Sequence, residues 1–78
     1  MITEQLRASC CWANDIALRN ALDLAVLDRD AGFTAQEAIY EFVDTCVDVC
    51  SASGEDALFC QVNCSNCGAA LVAEVWGR

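Results

Sequence analysis

Five of the chain's seven cysteines lie within one short segment, CVDVCSASGEDALFCQVNCSNC, at residues 46–67. On an α-helix, residues that are four or seven positions apart lie on the same face. Cys46 and Cys50 would therefore share a face of one helix, and the next three cysteines would share a face of the following helix. Any fold of this chain has to accommodate two rows of sulfur atoms, either as unpaired side chains in a core or bonded to other sulfur atoms or to a metal.

The first predicted helix runs from about Thr3 to Arg29, because apolar residues recur there at steps of three and four. Asp15 and Arg19 lie in a narrow polar stripe, at the i,i+4 spacing that favours an ion pair. The rest of the surface of this helix is apolar, which predicts that the helix is covered on two sides and that the protein forms a homodimer through it. One face carries Leu6, Cys10, Ala13, Ala17, Ala21 and Leu24, and a flanking row carries Trp12, Ile16, Leu18, Leu22 and Val26.

The second helix is predicted from about Ala35 to Cys50. Gly32 suits a left-handed C-cap for the preceding helix, and Thr34 with Glu37 three residues later has the pattern of a capping box. The inward face is expected to carry Ile39, Phe42, Val43, Cys46, Val49 and Cys50. The opposite face carries four acidic residues, here called the acidic rail: Glu37, Glu41, Asp44 and Asp48.

In the third predicted helix, Ser53 is placed to cap the first turn, and Glu55 and Asp56 lie where the helix dipole favours negative charge. Gly68 either breaks this helix, which gives a short fourth helix, or lies within it at a small penalty. The apolar and sulfur-bearing residues of this helix are Leu58, Phe59, Cys60, Val62, Cys64 and Cys67. The sequence therefore predicts an all-α protein, a compact bundle of three or four short helices in a single domain over residues 1–78.

Three interpretations of the cysteines are open. The simplest is that they are small apolar core residues, because unpaired cysteine is among the most buried residue types. The second is a hairpin of two antiparallel helices in which Cys46 pairs with Cys64 and Cys50 pairs with Cys60. This C-x3-C, nine residues, C-x3-C spacing resembles the helical hairpins of small mitochondrial intermembrane-space chaperones and of plant hairpinin peptides, over residues 46–64.

The third interpretation is metal binding by thiolates, which favour Cu(I), Zn(II) or an iron–sulfur cluster. The candidate ligands are Cys46, Cys50, Cys60, Cys64 and Cys67, with Cys10 or Cys11 as extra ligands. The steps of three and four residues along core-facing helices are similar to those of cysteine-lined four-helix copper-storage proteins. That resemblance implies the alternative function, a metal-binding or metal-storage bundle with Cu(I) or Zn bound.

The charge of the chain excludes some functions. The net charge is −8, and between Asp30 and Gly77 eight residues are acidic and none is basic. Direct binding to nucleic acid requires clustered lysine and arginine, so it is not expected. There is no histidine, no lysine and no recognisable nucleophile with a general base, so an enzyme is not expected either.

The location that the sequence favours is the cytoplasm. The start, MITEQLRASCCW, lacks the charged and apolar regions of a secretory signal. The longest apolar stretch, ALDLAVL, is interrupted by Asp23 and is too short to span a bilayer. In a reducing cytosol the cysteines are expected to stay unpaired.

The acidic rail is unfavourable to its own helix, because like charges one turn apart repel each other. It either solubilises an apolar protein or attracts a partner of opposite charge. We therefore expect a small, non-catalytic binding protein without a cofactor, an inhibitor or adaptor for a basic partner such as a nucleic-acid-binding protein. In size and charge the chain is similar to small phage inhibitors, including acidic anti-CRISPR proteins. The expected partner-binding residues are Glu37, Glu41, Asp44, Asp48, Glu55 and Asp56.

Overall fold

The fold is known from a computed structural model that describes residues 2–77. Within that range the chain forms four helices and no strand: α1 (Glu4–Ser9), α2 (Asp15–Asp30), α3 (Ala35–Ala52) and α4 (Ala57–Trp76). The predicted all-α bundle is confirmed. None of these helices is both long and apolar enough to cross a membrane.

The predicted first helix is in fact two helices separated by a turn. Asn14 is the N-cap of α2, and its side-chain oxygen accepts a hydrogen bond of 2.8 Å from the backbone N–H of Ala17. Asparagine at this position favours a new helix start over continuation of the old helix. The prediction of one helix from Thr3 to Arg29 is therefore wrong.

The turn also changes the ion pairing of Asp15. The guanidinium of Arg7 in α1 donates hydrogen bonds to both carboxylate oxygens of Asp15 in α2. The expected pair of Asp15 with Arg19 is not formed. The reason is that the turn places Arg7 where its guanidinium forms a bidentate pair with Asp15. The i,i+4 pair with Arg19 along one helix does not offer that geometry.

α2 turns a different face inward from the predicted one. Leu18 and Leu22, from the flanking row, are buried together with Ala25, whereas Ala17 and Leu24 are exposed. Because α2 starts independently of α1, the inward face of α1 does not continue along it. The orientation of α2 is decided by its packing against α4.

The connection between α2 and α3 has the predicted form. Gly32 has φ +94°, a left-handed conformation that suits glycine, and the N–H of Phe33 donates to the carbonyl of Asp28 at 3.0 Å. At the start of α3, Thr34 and Glu37 each accept a hydrogen bond from the other's backbone N–H, at 3.1 and 2.9 Å respectively. The capping box is confirmed.

The start of α4 differs from the prediction in its capping residue. Asp56 is the N-cap, and its carboxylate accepts hydrogen bonds from two backbone N–H groups of the first turn. Ser53 lies at the end of α3 instead, and Glu55 lies between the two helices. Gly68 does not break α4, which passes through it.

α4 is the central helix and contacts each of the other three. Near its C-terminal end, the guanidinium of Arg29 in α2 donates a 2.9 Å hydrogen bond to the carbonyl of Val75. One core cluster joins α1, α2 and α4 and consists of Leu6, Cys10, Leu18, Leu22, Ala25, Cys67, Leu71 and Val75. α3 lies against α4 as well, and the cysteines hold it there.

Candidate functional site

Six of the seven cysteines are joined in three disulfide bonds. Cys46 is bonded to Cys64 and Cys50 to Cys60, with Cα–Cα distances of 5.8 and 5.7 Å. The pairing of the hairpin interpretation is thereby confirmed. The interpretation of the five clustered cysteines as unpaired core residues is wrong, although four of them are buried as it expected: Cys46, Cys60, Cys64 and Cys67.

The third disulfide, Cys10 to Cys67, was not predicted from the sequence. It joins the end of α1 to the middle of α4, with a Cα–Cα distance of 4.9 Å and a sequence separation of 57 residues. Local spacing carries no information about a bond between residues that are so far apart in the sequence. The only signal was that both residues fall on predicted inward faces. α1 is therefore tied to the same helix that α3 is tied to.

The disulfides bear on two other expectations, metal binding by the cysteines and a location in the reducing cytoplasm. All five principal metal-ligand candidates are disulfide-bonded, and metals bind the thiolate form of cysteine. Among the described residues no group of three or more cysteine, aspartate, glutamate or histidine side chains is arranged to hold a metal. The metal-binding alternative thus applies only to the reduced chain and stays a prediction. The cytoplasmic location also stays a prediction, since disulfides are rare in a reducing cytosol.

The acidic rail lies in water along the full length of its predicted face. All four of its residues are exposed, on the side of α3 opposite the buried Cys46. The backbone N–H of Thr34, and then its hydroxyl, hold the pKa of Glu37 below its ordinary value. Within residues 2–77 the only ion pairs are Arg7–Asp15 and Arg29–Asp30, so no basic side chain of that range neutralises the rail.

The other two expected partner-binding residues lie apart from the rail. Asp56 is exposed, but one of its carboxylate oxygens is already engaged in capping α4. Glu55 is exposed in the loop before α4. The structure thus places four of the six residues on one helix face and two at the far end of that helix.

An apolar groove runs between α2 and α3, with α4 as its floor. It has a wider part of about 600 Å³ and a narrower part of about 250 Å³. The two parts adjoin, because Ala21, Phe42 and Thr45 line both of them. The floor is formed by Cys64, Cys67, Gly68 and Leu71.

The walls of the groove carry apolar side chains that the sequence assigned to the core. Trp12, Val49 and Phe59 line its wider part and are 48%, 65% and 49% exposed. The expectation that Val49 faces inward is wrong, because its side chain lies in the wall of the groove and is largely exposed. The charged residues that line the groove are all acidic: Asp28, Glu41 and Glu55.

α2 has a second apolar surface on its outer side. Ile16 and Leu27 are 72% and 64% exposed and are not covered by the rest of the described chain, whereas Leu24, 55% exposed, lines the narrower part of the groove. This is the surface on which the expected homodimer would depend, and the homodimer stays a prediction. Comparison with protein-family models, curated proteins and solved structures finds no match for this chain.

Proposed function

We propose that this protein is a small, non-catalytic binding protein, an inhibitor or adaptor, whose acidic rail engages a basic protein partner. The observation that carries the proposal is the exposure of Glu37, Glu41, Asp44 and Asp48 on one face of α3 without an ion pair to a basic side chain in the described range. A surface of one sign steers the approach of a surface of the opposite sign and disfavours partners of like charge.

The disulfides support this role by making α3 rigid. Two bonds, at Cys46 and Cys50, hold α3 against α4 one turn apart. The rail is therefore fixed before a partner arrives, and binding loses less conformational entropy than it would on a mobile helix. A basic nucleic-acid-binding protein fits this surface best, because the carboxylates would lie where that protein otherwise holds phosphates.

The proposal is tested by charge reversal. The disulfide-bonded protein, immobilised, is used to capture binding proteins from a cell lysate, and the captured proteins are compared with those held by Glu41→Lys/Asp44→Lys. We expect basic proteins among those captured, and we expect the double variant to lose them. Raising the salt should have the same effect, because the Debye length falls from about 10 Å at 0.1 M to about 3 Å at 1 M.

The matched control is Glu4→Lys/Asp23→Lys. Both residues are exposed and lie outside the rail, and the change in net charge is the same. Loss of the captured proteins in the rail variant but not in this control supports the proposal. Equal retention by both variants would show that the rail only solubilises the protein, and equal loss would show that net charge alone is responsible.

A further inference from the structure

We propose that the groove between α2 and α3 binds one amphipathic helix of the partner, with its apolar side chains in the groove and its basic side chains on the acidic rail. This inference rests on the proposed function and specifies the form of the partner. In helix-in-groove recognition, the apolar face of an amphipathic helix lies in a hydrophobic groove. The groove has to be long enough for the helix, and a polar edge of the groove fixes the orientation of the helix.

The rail forms one lip of the groove. Glu41 belongs to the rail and also lines the groove. Successive residues of a helix are about 100° apart, so Thr45 is next to Glu41 around the circumference of α3, followed by Val49 and then Phe42. These three residues line the groove as well. A helix seated in the groove therefore has the rail beside it from Ala38 to about Asp48, and the groove continues beyond the rail to Ser53.

The length of the groove suits a helix. Its lining on α3 extends from Ala38 to Ser53, a distance of about 22 Å at 1.5 Å per residue. A partner helix of about four turns covers that distance. The apolar walls at Trp12, Val49 and Phe59 are exposed, so an apolar face of such a helix would remove them from water.

The charge of the groove decides between two occupants. A second copy of the chain would bring its own net charge of −8 to a groove whose charged lining residues, Asp28, Glu41 and Glu55, are all acidic. A basic helix meets opposite charge at the same positions. The occupant is therefore a basic amphipathic helix and not a second copy.

The test uses a synthetic peptide of leucine and lysine in which the leucines form one helical face. Its isomer has the same composition, with the leucines spread around the helix. Fluorescence anisotropy of the labelled peptides measures their affinity for the disulfide-bonded protein. We expect the amphipathic peptide to bind about tenfold more tightly than its isomer, because only one of them presents an apolar face to the groove.

Variants of the protein distinguish the contribution of the groove to peptide binding from that of the rail. Val49→Gln changes the groove wall, and we expect about fivefold weaker binding of the amphipathic peptide. Val62→Gln is the matched control, because Val62 is 50% exposed on α4 and does not line the groove. The rail variant is Asp44→Lys/Asp48→Lys, neither residue of which lines the groove. Circular dichroism checks that each variant is folded.

Each outcome decides the inference. Weaker binding in Val49→Gln and in the rail variant, but not in Val62→Gln, supports it. If both peptides bind equally and only the rail variant matters, the groove inference is wrong and the proposed function stands. If neither peptide binds, the inference is overturned. It is also overturned if the protein self-associates and Val49→Gln abolishes that association, because the occupant is then a second copy.

Discussion

The ring of Phe42 in α3 lies directly against Gly68 in α4. A Cβ atom added at Gly68 would stand 3.0 Å from Cδ2 of Phe42, and Gly68 itself is buried. Close approach of the two helices depends on this missing side chain. This contact accounts for a glycine in the interior of a 20-residue helix, where glycine costs about 1 kcal/mol relative to alanine.

Replacing Gly68 with leucine is expected to destabilise the protein by about 2 kcal/mol, because the side chain overpacks the contact with Phe42. Chemical denaturation measures the free energy of unfolding. The control is Ala69→Leu at the adjacent exposed position of α4, where a change within about 0.5 kcal/mol is expected. In a Phe42→Ala background the cost of Gly68→Leu should fall, and equal costs in both backgrounds would contradict the contact.

The three disulfides are expected to differ in their contributions to stability. A disulfide restricts the unfolded chain more when it closes a longer loop. The double alanine variant at Cys10 and Cys67, with a separation of 57 residues, should lose about 4 kcal/mol. The corresponding variant at Cys50 and Cys60, with a separation of 10 residues, should lose about 3 kcal/mol. Urea denaturation of both variants gives the order, and the reverse order would contradict the loop-length explanation.

Glu37 is expected to make the stability of α3 depend on pH. Its pKa is lowered by the hydrogen bonds from Thr34, so its stabilising contribution is present above the unfolded pKa and is lost as the pH falls through the folded pKa. Glu37→Gln keeps a capping-box residue but does not titrate. The difference in unfolding free energy between wild type and this variant should therefore shrink from pH 7 to about pH 3. A difference that stays constant would contradict the prediction.

Cys11 is expected to be the one reactive thiol of the disulfide-bonded protein, because it is exposed and the other six cysteines are paired. Iodoacetamide added to the denatured, unreduced chain should give one adduct by mass spectrometry, and prior reduction should give seven. Seven adducts without reduction would show that the cysteines are unpaired in solution.

The metal-binding alternative is checked on protein that is expressed in a reducing cytosol and purified without alkylation or added metal. Native mass spectrometry should show no Cu, Zn or Fe at a fixed ratio if the cysteines do not serve as metal ligands. A bound metal at a fixed ratio would favour the thiolate bundle, because it would show that the five clustered cysteines act as ligands.

Much of α3 was predictable from the sequence because its determinants are local. The capping box at Thr34 and Glu37, the left-handed Gly32, and the separation of carboxylates from sulfurs around α3 all depend on residues within a few turns of one another. The pairing of Cys46 with Cys64 is nearly local too, since the two helices are consecutive and their C-x3-C spacings match.

Other features depended on which helices meet in space, and only the tertiary structure decided them. The Cys10–Cys67 bond, the inward face of α2 and the contact between Phe42 and Gly68 each join residues that are distant in sequence. The groove exists because α2 and α3 both pack on α4 and leave space between them. Periodicity shows that a helix has an apolar face, but it does not show how much of that face its neighbours cover.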